Sequence, residues 1–422
     1  MAFLKDLIPP AGRVRTLCLS NLAKTAGHGI LMSVSVLYFT RMVHIPAEQV
    51  GLALTIGAAA AMCASVPAGR LADILGARNV TIGFLCLLGV FVAGYAFVGG
   101  FLGLVLAASL ALMAESATDA ARGALVAGLI PAGERVRTWS YMRSMANVGV
   151  SLGAATGAVG LYYDTRFAYV ALLVGGGALF LLSGIAYLAV PKVPPAPKSQ
   201  DSPRWIVLRD RPYAAVALLN TVLVMNVAIL IVALPIWITE HTRAPTWLFP
   251  VILILNTAVV VLFQVRASKG ADDVPGGARA LRRSGVFLAG SCALFALAAG
   301  GPLWVAVAAL LAGALVHVIG EMLYSAGSWS LAFGLAPDHA QGQYQGMFGM
   351  STQLGSMVTP ALAVALTTYL GWLGWMVFAA LLLAAGAAAP AVALWAQSTR
   401  KPIPSSASVA ADVLRSAQPE GE

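Results

Sequence analysis

Charge is what this sequence has least of. Asp, Glu, Lys and Arg make up 10% of its 422 residues, whereas a soluble globular chain carries about 25%. With 59% hydrophobic residues, the chain cannot hide its apolar surface inside one water-soluble core, which excludes that class. It reads as a polytopic membrane protein. Cysteine is scarce too. Cys18, Cys63, Cys86 and Cys292 all fall in apolar runs, with neither metal spacing nor a disulfide framework, and read as small packing residues. No H-E-x-x-H motif and no Walker lysine loop occurs, so zinc-protease chemistry and ATP-driven transport within this chain are set aside. No metal or other cofactor is expected. The stretch GVSLG at 149–153 fits G-x-S-x-G, but a nucleophile elbow needs a strand-to-helix turn. Here glycine recurs every fourth residue of an apolar run, so helix packing is the better reading of Ser151. A membrane-embedded hydrolase is the remote alternative, and the chain is read as not an enzyme. The first apolar run is too long for a cleavable signal peptide, and no small-residue cleavage site follows it.

What is present is length and apolarity. A spanning helix takes roughly 20 apolar residues. Turn signals and charge clusters predict twelve segments, near 16–40, 47–68, 79–99, 102–129, 139–162, 167–190, 213–239, 246–265, 284–300, 303–334, 344–368 and 372–397. Helices are the economical form, because lipid offers no partner to an unpaired backbone N–H or C=O. Unbroken apolar runs are not the alternating strands of a barrel. The expected fold is an all-α integral membrane protein of twelve transmembrane helices in two six-helix, pseudo-symmetric bundles.

The basic residues orient it. Of 26 Lys and Arg, Arg41, Arg166 and Arg243 fall on one side and Lys24, Arg122 and Arg143 within helices. The other 20 fall on the side of both termini, which the positive-inside rule makes cytoplasmic. Their spread over many short loops also excludes a nucleic-acid reading of the +9 net charge, which needs a basic stripe. The expectation is a multi-pass, monomeric protein of a cell inner or plasma membrane. The Ala-, Gly-, Val- and Arg-rich composition suggests a bacterial source.

Residues 191–212, PKVPPAPKSQDSPRWIVLRDRP, read as an extended cytoplasmic linker. They divide an N-terminal bundle (1–190) from a C-terminal bundle (213–397), and 398–422 reads as a disordered cytoplasmic tail. A shift of 206 residues lays ESATDAARGALVAGLIP at 115–131 on EMLYSAGSWSLAFGLAP at 321–337. Glu115 meets Glu321, and Gly128, Leu129 and Pro131 meet Gly334, Leu335 and Pro337. Both stretches fall on the fourth helix of their half. Parallel six-helix repeats are a transporter architecture.

The junction after the second helix reads GRLADILGARN at 69–79. It resembles the signature loop of the major facilitator superfamily, with Gly69, Leu71, Asp73, Gly76 and Arg78 at matching positions. Ile74 stands where that family often has arginine. The resemblance covers residues 16–397. It implies a gate in which Asp73 caps a helix N-terminus or pairs with a neighbouring base. Within the family, GEMLYSAGSWSLAFGLAPDHAQGQYQG and RVRTWSYMRSMANVGVSLGAATG resemble the drug:proton antiporter group. Gly149, Gly153 and Gly157 offer a small-residue face. Gly153-Ala154 replaces the Gly-Pro pair usual in that group.

Charges in the apolar runs are the candidate machinery. An unpaired charge at mid-bilayer costs at least about 2.5–3.5 kcal/mol. Glu321, midway along the tenth helix, is therefore expected to serve as a proton carrier, or else to lock two helices through a base. Removal from water favours the neutral form of a carboxyl. His317, four residues earlier on the same face, is either a proton partner or a packing residue. Glu115, Asp119 and Arg122 share one face of the fourth helix. Arg122 and Arg143 are expected to neutralise the two acids, as a structural network or as coupling groups. Lys24 is expected to snorkel to the headgroups. His28, Asn147, Asn226, Tyr324 and Trp329 are candidate lining of a substrate cavity. Trp237 and Trp247 read as interfacial belt residues. Together these features suggest a proton-coupled secondary transporter that exports a small amphipathic or cationic organic compound, a drug or a metabolite, by alternating access. Its partners would be that substrate, protons and the bilayer. The alternative is a major facilitator importer or a sugar or metabolite exporter.

Overall fold

The structure is a computed structural model and describes residues 8–195 and 204–400. Twelve long helices run in order: α1 Arg13–Leu37, α2 Ala47–Leu75, α3 Ala77–Gly94, α4 Phe101–Leu129, α5 Ala132–Tyr163, α6 Arg166–Ala186, α7 Arg211–His241, α8 Leu248–Ala267, α9 Val274–Leu297, α10 Leu303–Gly334, α11 Gln341–Leu370 and α12 Trp372–Ser398. No strand occurs among the described residues. Ten of the twelve are long and apolar enough to cross a membrane on composition alone. The other two, α1 and α11, are diluted by Asn21, Lys24 and His28 and by Gln341, Gln343 and Gln345. Such residues belong where a helix faces protein rather than lipid.

Two apolar cores form. One gathers α1–α6 around Leu17, Tyr38, Leu85, Tyr169 and Phe180. The other gathers α7–α12 around Trp237, Phe295, Trp375, Phe378 and Leu382. Packing repeats between the halves: α1 lies on α5 and α6, α2 on α4, and α3 on α4 and α6, while α7 lies on α11 and α12, α8 on α10, and α9 on α10 and α12. Gly149, Gly153 and Gly157 seat α5 against α1. A Cβ at Gly153 would run into the Ala26 carbonyl, so the backbones touch only because the side chain is missing.

Local sequence explains several boundaries. The junction at 69–79, expected as a loop, is almost all helix. α2 runs through Leu75, and the chain turns at Gly76 alone, with φ +90°, a value that glycine adopts freely. α5 begins at Ala132 and α9 at Val274, a turn or more earlier than charge alone predicts. Arg135, Arg137, Arg279, Arg282 and Arg283 ride on helix that extends past the apolar layer, and the Asp273 carboxylate caps α9 by accepting from Gly276 N at 2.7 Å. α7 stays continuous through a wide turn at Ile229–Ala233, next to Pro235, which has no N–H to give. In the linker, 196–203 lie outside the described residues. Its end is not extended: Ile206–Arg209 form a helical turn, and Asp210 caps α7 through Tyr213 N. Asp210 also takes a bond from Arg400 at 2.6 Å. The stretch expected as a disordered tail lies outside the described residues from 401 onward.

Candidate functional site

The halves meet on the face that carries the start of α1 and the end of α12, the terminal face. Asp73 reaches across from α2 to the first turn of α11, accepting from Gly342 N at 2.6 Å and Gln343 N at 3.0 Å. Those N–H groups have no intrahelical acceptor, and the positive end of the helix favours a carboxylate. Of the two roles open to Asp73, the structure gives it the helix cap. Gly69 lets the chains touch, because a Cβ there would strike the Gly342 carbonyl. Ser65 Oγ donates to Gly346 O at 2.7 Å one turn deeper. Arg78 turns away to the end of α6, donating to Tyr187 O at 3.0 Å and Leu188 O at 2.5 Å. Above this seam Trp139 of α5 stacks on Trp329 of α10, ring centres 3.7 Å apart, and Trp329 packs on Phe348 of α11 at 4.9 Å.

A first charge cluster lies inside the N-terminal bundle. Asp119 accepts from Lys24 at 2.6 Å and pairs with Arg122 at 3.0 Å. Glu115 meets His28 Nδ1 at 3.0 Å and Lys24 Nζ at 3.6 Å. Arg122 also donates to Asn21 Oδ1. Two expectations are corrected. Lys24 does not snorkel: it is buried, because two acids on α4 offer it a stronger partner than the headgroups do. The second acid, Glu115, faces Lys24 and His28, not Arg143.

Arg143 crosses the seam instead. Its Nη2 donates to Glu321 Oε1 at 2.5 Å, while Asn256 Nδ2 of α8 donates to Glu321 Oε2 at 2.8 Å. Glu321, expected either to carry a proton or to lock two helices through a base, thus has a base from the opposite bundle and an amide from its own. His317 is buried and turned toward α9, its Nδ1 3.3 Å from Ser291 Oγ and its ring beside Phe295. Its Nε2 has no hydrogen-bond partner among the described residues.

Between the bundles, above the stacked tryptophans, lies a cavity of about 380 Å³. Tyr324, Trp329, Arg122 and Arg143 line it. His28, Asn147 and Asn226 do not. His28 is taken by Glu115, Asn147 donates to Arg143 O at 3.2 Å, and Asn226 is fully buried, donating to Leu223 O at 2.6 Å. Sequence reasoning missed Lys24, Trp139, Ser325 and Ser328 as lining. The two serines stand four and seven residues after Glu321, which is the spacing of one helical face. That signal was readable. Trp237 is not an interfacial residue. It is 1% exposed, and its Nε1 donates to Phe295 O at 2.7 Å, whereas Trp247 is 62% exposed. Among the described residues no group of three or more His, Cys, Asp or Glu side chains is placed to hold a metal ion.

The sequence profile described as Major Facilitator Superfamily matches residues 17–350. No curated protein sequence matches. Solved structures do. The human organic anion transporter MFSD10 (TETRAN) superposes with a TM-score of 0.66 at 16% identity, over 89% of this chain and 98% of the other. A bacterial homologue of the iron transporter ferroportin, in an outward-facing state, superposes with a TM-score of 0.68 at 16% identity, over 91% and 99%. At that identity the likeness is one of fold.

Proposed function

The chain belongs to the major facilitator superfamily, and on that premise we propose that it is a proton-coupled secondary transporter moving a small amphipathic organic compound by alternating access. The observation that carries this reading is the Arg143–Glu321 pair. It joins an ionisable acid to a base across the seam where the two bundles must separate, beside the cavity. When Glu321 is charged, the pair ties α5 to α10. When Glu321 is protonated the attraction is lost, and the cavity side of Arg143 is free to meet a substrate. A proton that enters Glu321 on one face and leaves it on the other would drive uphill movement of the substrate. The basic residues of the terminal face argue that this face is cytoplasmic. The Asp73 cap then closes the inner gate, and the cavity faces outward. We place the protein as a monomer in a bacterial inner membrane.

One observation favours a second reading, export of a cationic compound in exchange for protons, as in the drug:proton antiporters. The Asp119 side chain is 43% exposed, against 16% for Glu115 and 11% for Glu321, and could attract a cation. The test is a proteoliposome assay with an imposed pH gradient, comparing wild type with Glu321→Gln. The variant is expected to keep substrate exchange without a gradient and to lose accumulation driven by one. Accumulation at the wild-type rate would refute the role of Glu321.

A further inference from the structure

We propose that the central cavity takes its substrate by an acidic group: a carboxylate, sulfonate or phosphate on an amphipathic body, which replaces the Glu321 carboxylate on Arg143. This deepens the preceding reading and rests on it for the proton at Glu321. Three of the side chains lining the cavity are basic, Lys24, Arg122 and Arg143, and none of the described lining residues is acidic. Each acid nearby is paired: Glu115 Oε1 with His28 and Lys24, Asp119 Oδ1 with Lys24 and Arg122, and both Glu321 oxygens with Arg143 and Asn256. The Nε atoms of Arg122 and Arg143 are buried and have no hydrogen-bond partner among the described residues. A guanidinium is a planar fork that binds a carboxylate or phosphate through two N–H groups, and both of these arginines border the cavity. The floor suits an apolar body, with Trp139, Trp329 and Phe348 stacked below and the Arg122 guanidinium 5.2 Å from the Trp139 ring. The cavity volume, about 380 Å³, fits a small organic molecule.

Charge then sets the coupling. A substrate anion that meets Arg143 while Glu321 is ionised puts two negative groups on one guanidinium. If Glu321 holds a proton, the anion simply takes its place, and the local charge is unchanged. Anion and proton therefore bind together and travel together. A cation would meet three like charges at the wall. The ionisable groups facing Glu321 are Arg143 from α5 and His317 and Tyr324 from its own helix. α8 offers Asn256, and α9 offers Ser284, which donates to Gly320 O at 2.8 Å beside it, and Ser291, 3.3 Å from His317 Nδ1. The arginines of α8 and α9, Arg266, Arg279, Arg282 and Arg283, lie at their terminal-face ends.

The test is calorimetry on the full-length protein in detergent. The probes are naphthoate, its methyl ester and the matching naphthylmethylamine, titrated in two buffers of different ionisation enthalpy. Naphthoate is expected to bind at least about tenfold more tightly than the ester or the amine and to take up one proton from buffer. Its affinity should fall as pH rises. Glu321→Gln should bind naphthoate without proton uptake and without that pH dependence. Arg143→Gln should lose the preference for naphthoate over its ester. Arg143→Lys, which keeps the charge and loses the fork, guards against misfolding and should retain part of it. Tighter binding of the amine, with proton release, would overturn the anion assignment and leave the proton role of Glu321 standing. Binding of naphthoate with no proton exchanged would overturn the proton role of Glu321, and equal binding of all three probes would overturn the anion assignment.

Discussion

The Asp73 cap makes a quantitative prediction about which way the protein faces. Its two oxygens accept from Gly342 N and Gln343 N at 2.6 and 3.0 Å. Asp73→Asn keeps the shape, removes the charge, and turns one acceptor into an amide N–H that confronts a backbone donor. A hydrogen bond to a charged group contributes about 1.5–3 kcal/mol, and the helix dipole adds about 0.3–1 kcal/mol for a carboxylate at its N-terminus. Asp73 is only half-buried, so the low end applies, and the state closed on the terminal face loses about 2 kcal/mol, roughly a thirtyfold shift in population ratio. Spin labels at Glu48 and Thr246, exposed near the far ends of α2 and α8, read the shift by pulsed dipolar spectroscopy. The short-distance population at the far face should grow in Asp73→Asn, and again in Gly69→Leu, which wedges the same contact by volume. Distance distributions that superpose on wild type in both folded variants would refute the cap as the latch.

Other consequences are checked more simply. Arg143→Gln and Glu321→Gln should each lower thermal stability in detergent by about 3 kcal/mol, the low end for a buried pair left with one member, while the double variant regains most of the loss. Trp237→Phe removes the bond to Phe295 O and should cost about 1 kcal/mol in the same melt. At the far face, Asp164 sits at φ +44°, accepting from the Tyr169 hydroxyl at 2.7 Å and paired with Arg41 at 3.1 Å. The Tyr169 bond, then Arg41, hold its carboxyl below the usual carboxylate range. Its stabilising effect is therefore complete above the ordinary carboxylate pKa and is lost as pH falls through the lowered one. Asp164→Asn, which tolerates the same left-handed backbone, should show a smaller stability loss on acidification below about pH 4.

The fold was legible because the bilayer simplifies it. Length and apolarity set helix number with no knowledge of packing. The repeat that aligns Glu115 with Glu321 pointed to paired bundles. The partners of the charges were not legible. Arg143 lies one turn before Asn147 on α5, and nothing in its neighbourhood says that it reaches across the seam to α10 rather than back to α4. That depends on how the halves are set against each other. Lys24 was misread for the same reason: a lysine near a helix end snorkels unless a neighbouring helix presents acids, and α4 does. Trp237 looked like a belt residue because its depth along α7 was readable and its azimuth was not.

The repeat mates make different bonds, and that difference decides where coupling can reside. Glu115 binds His28 and Lys24 of α1, inside its own bundle. Glu321 binds Arg143 of the opposite bundle. Rocking one bundle against the other as a rigid body leaves every Glu115 contact intact, so its protonation cannot bias the motion through them. The Glu321 contact must stretch or break, so whatever changes its charge changes the balance between the two states. Glu115→Gln should therefore lower stability, since it deprives buried Lys24 of one of its two acids, yet leave the pH dependence of gradient-driven transport in place. Glu321→Gln should do the reverse in transport and abolish that dependence. A Glu115→Gln protein that folds normally and loses its coupling would show that the motion is not rigid-body, and that the N-terminal cluster also opens during the cycle.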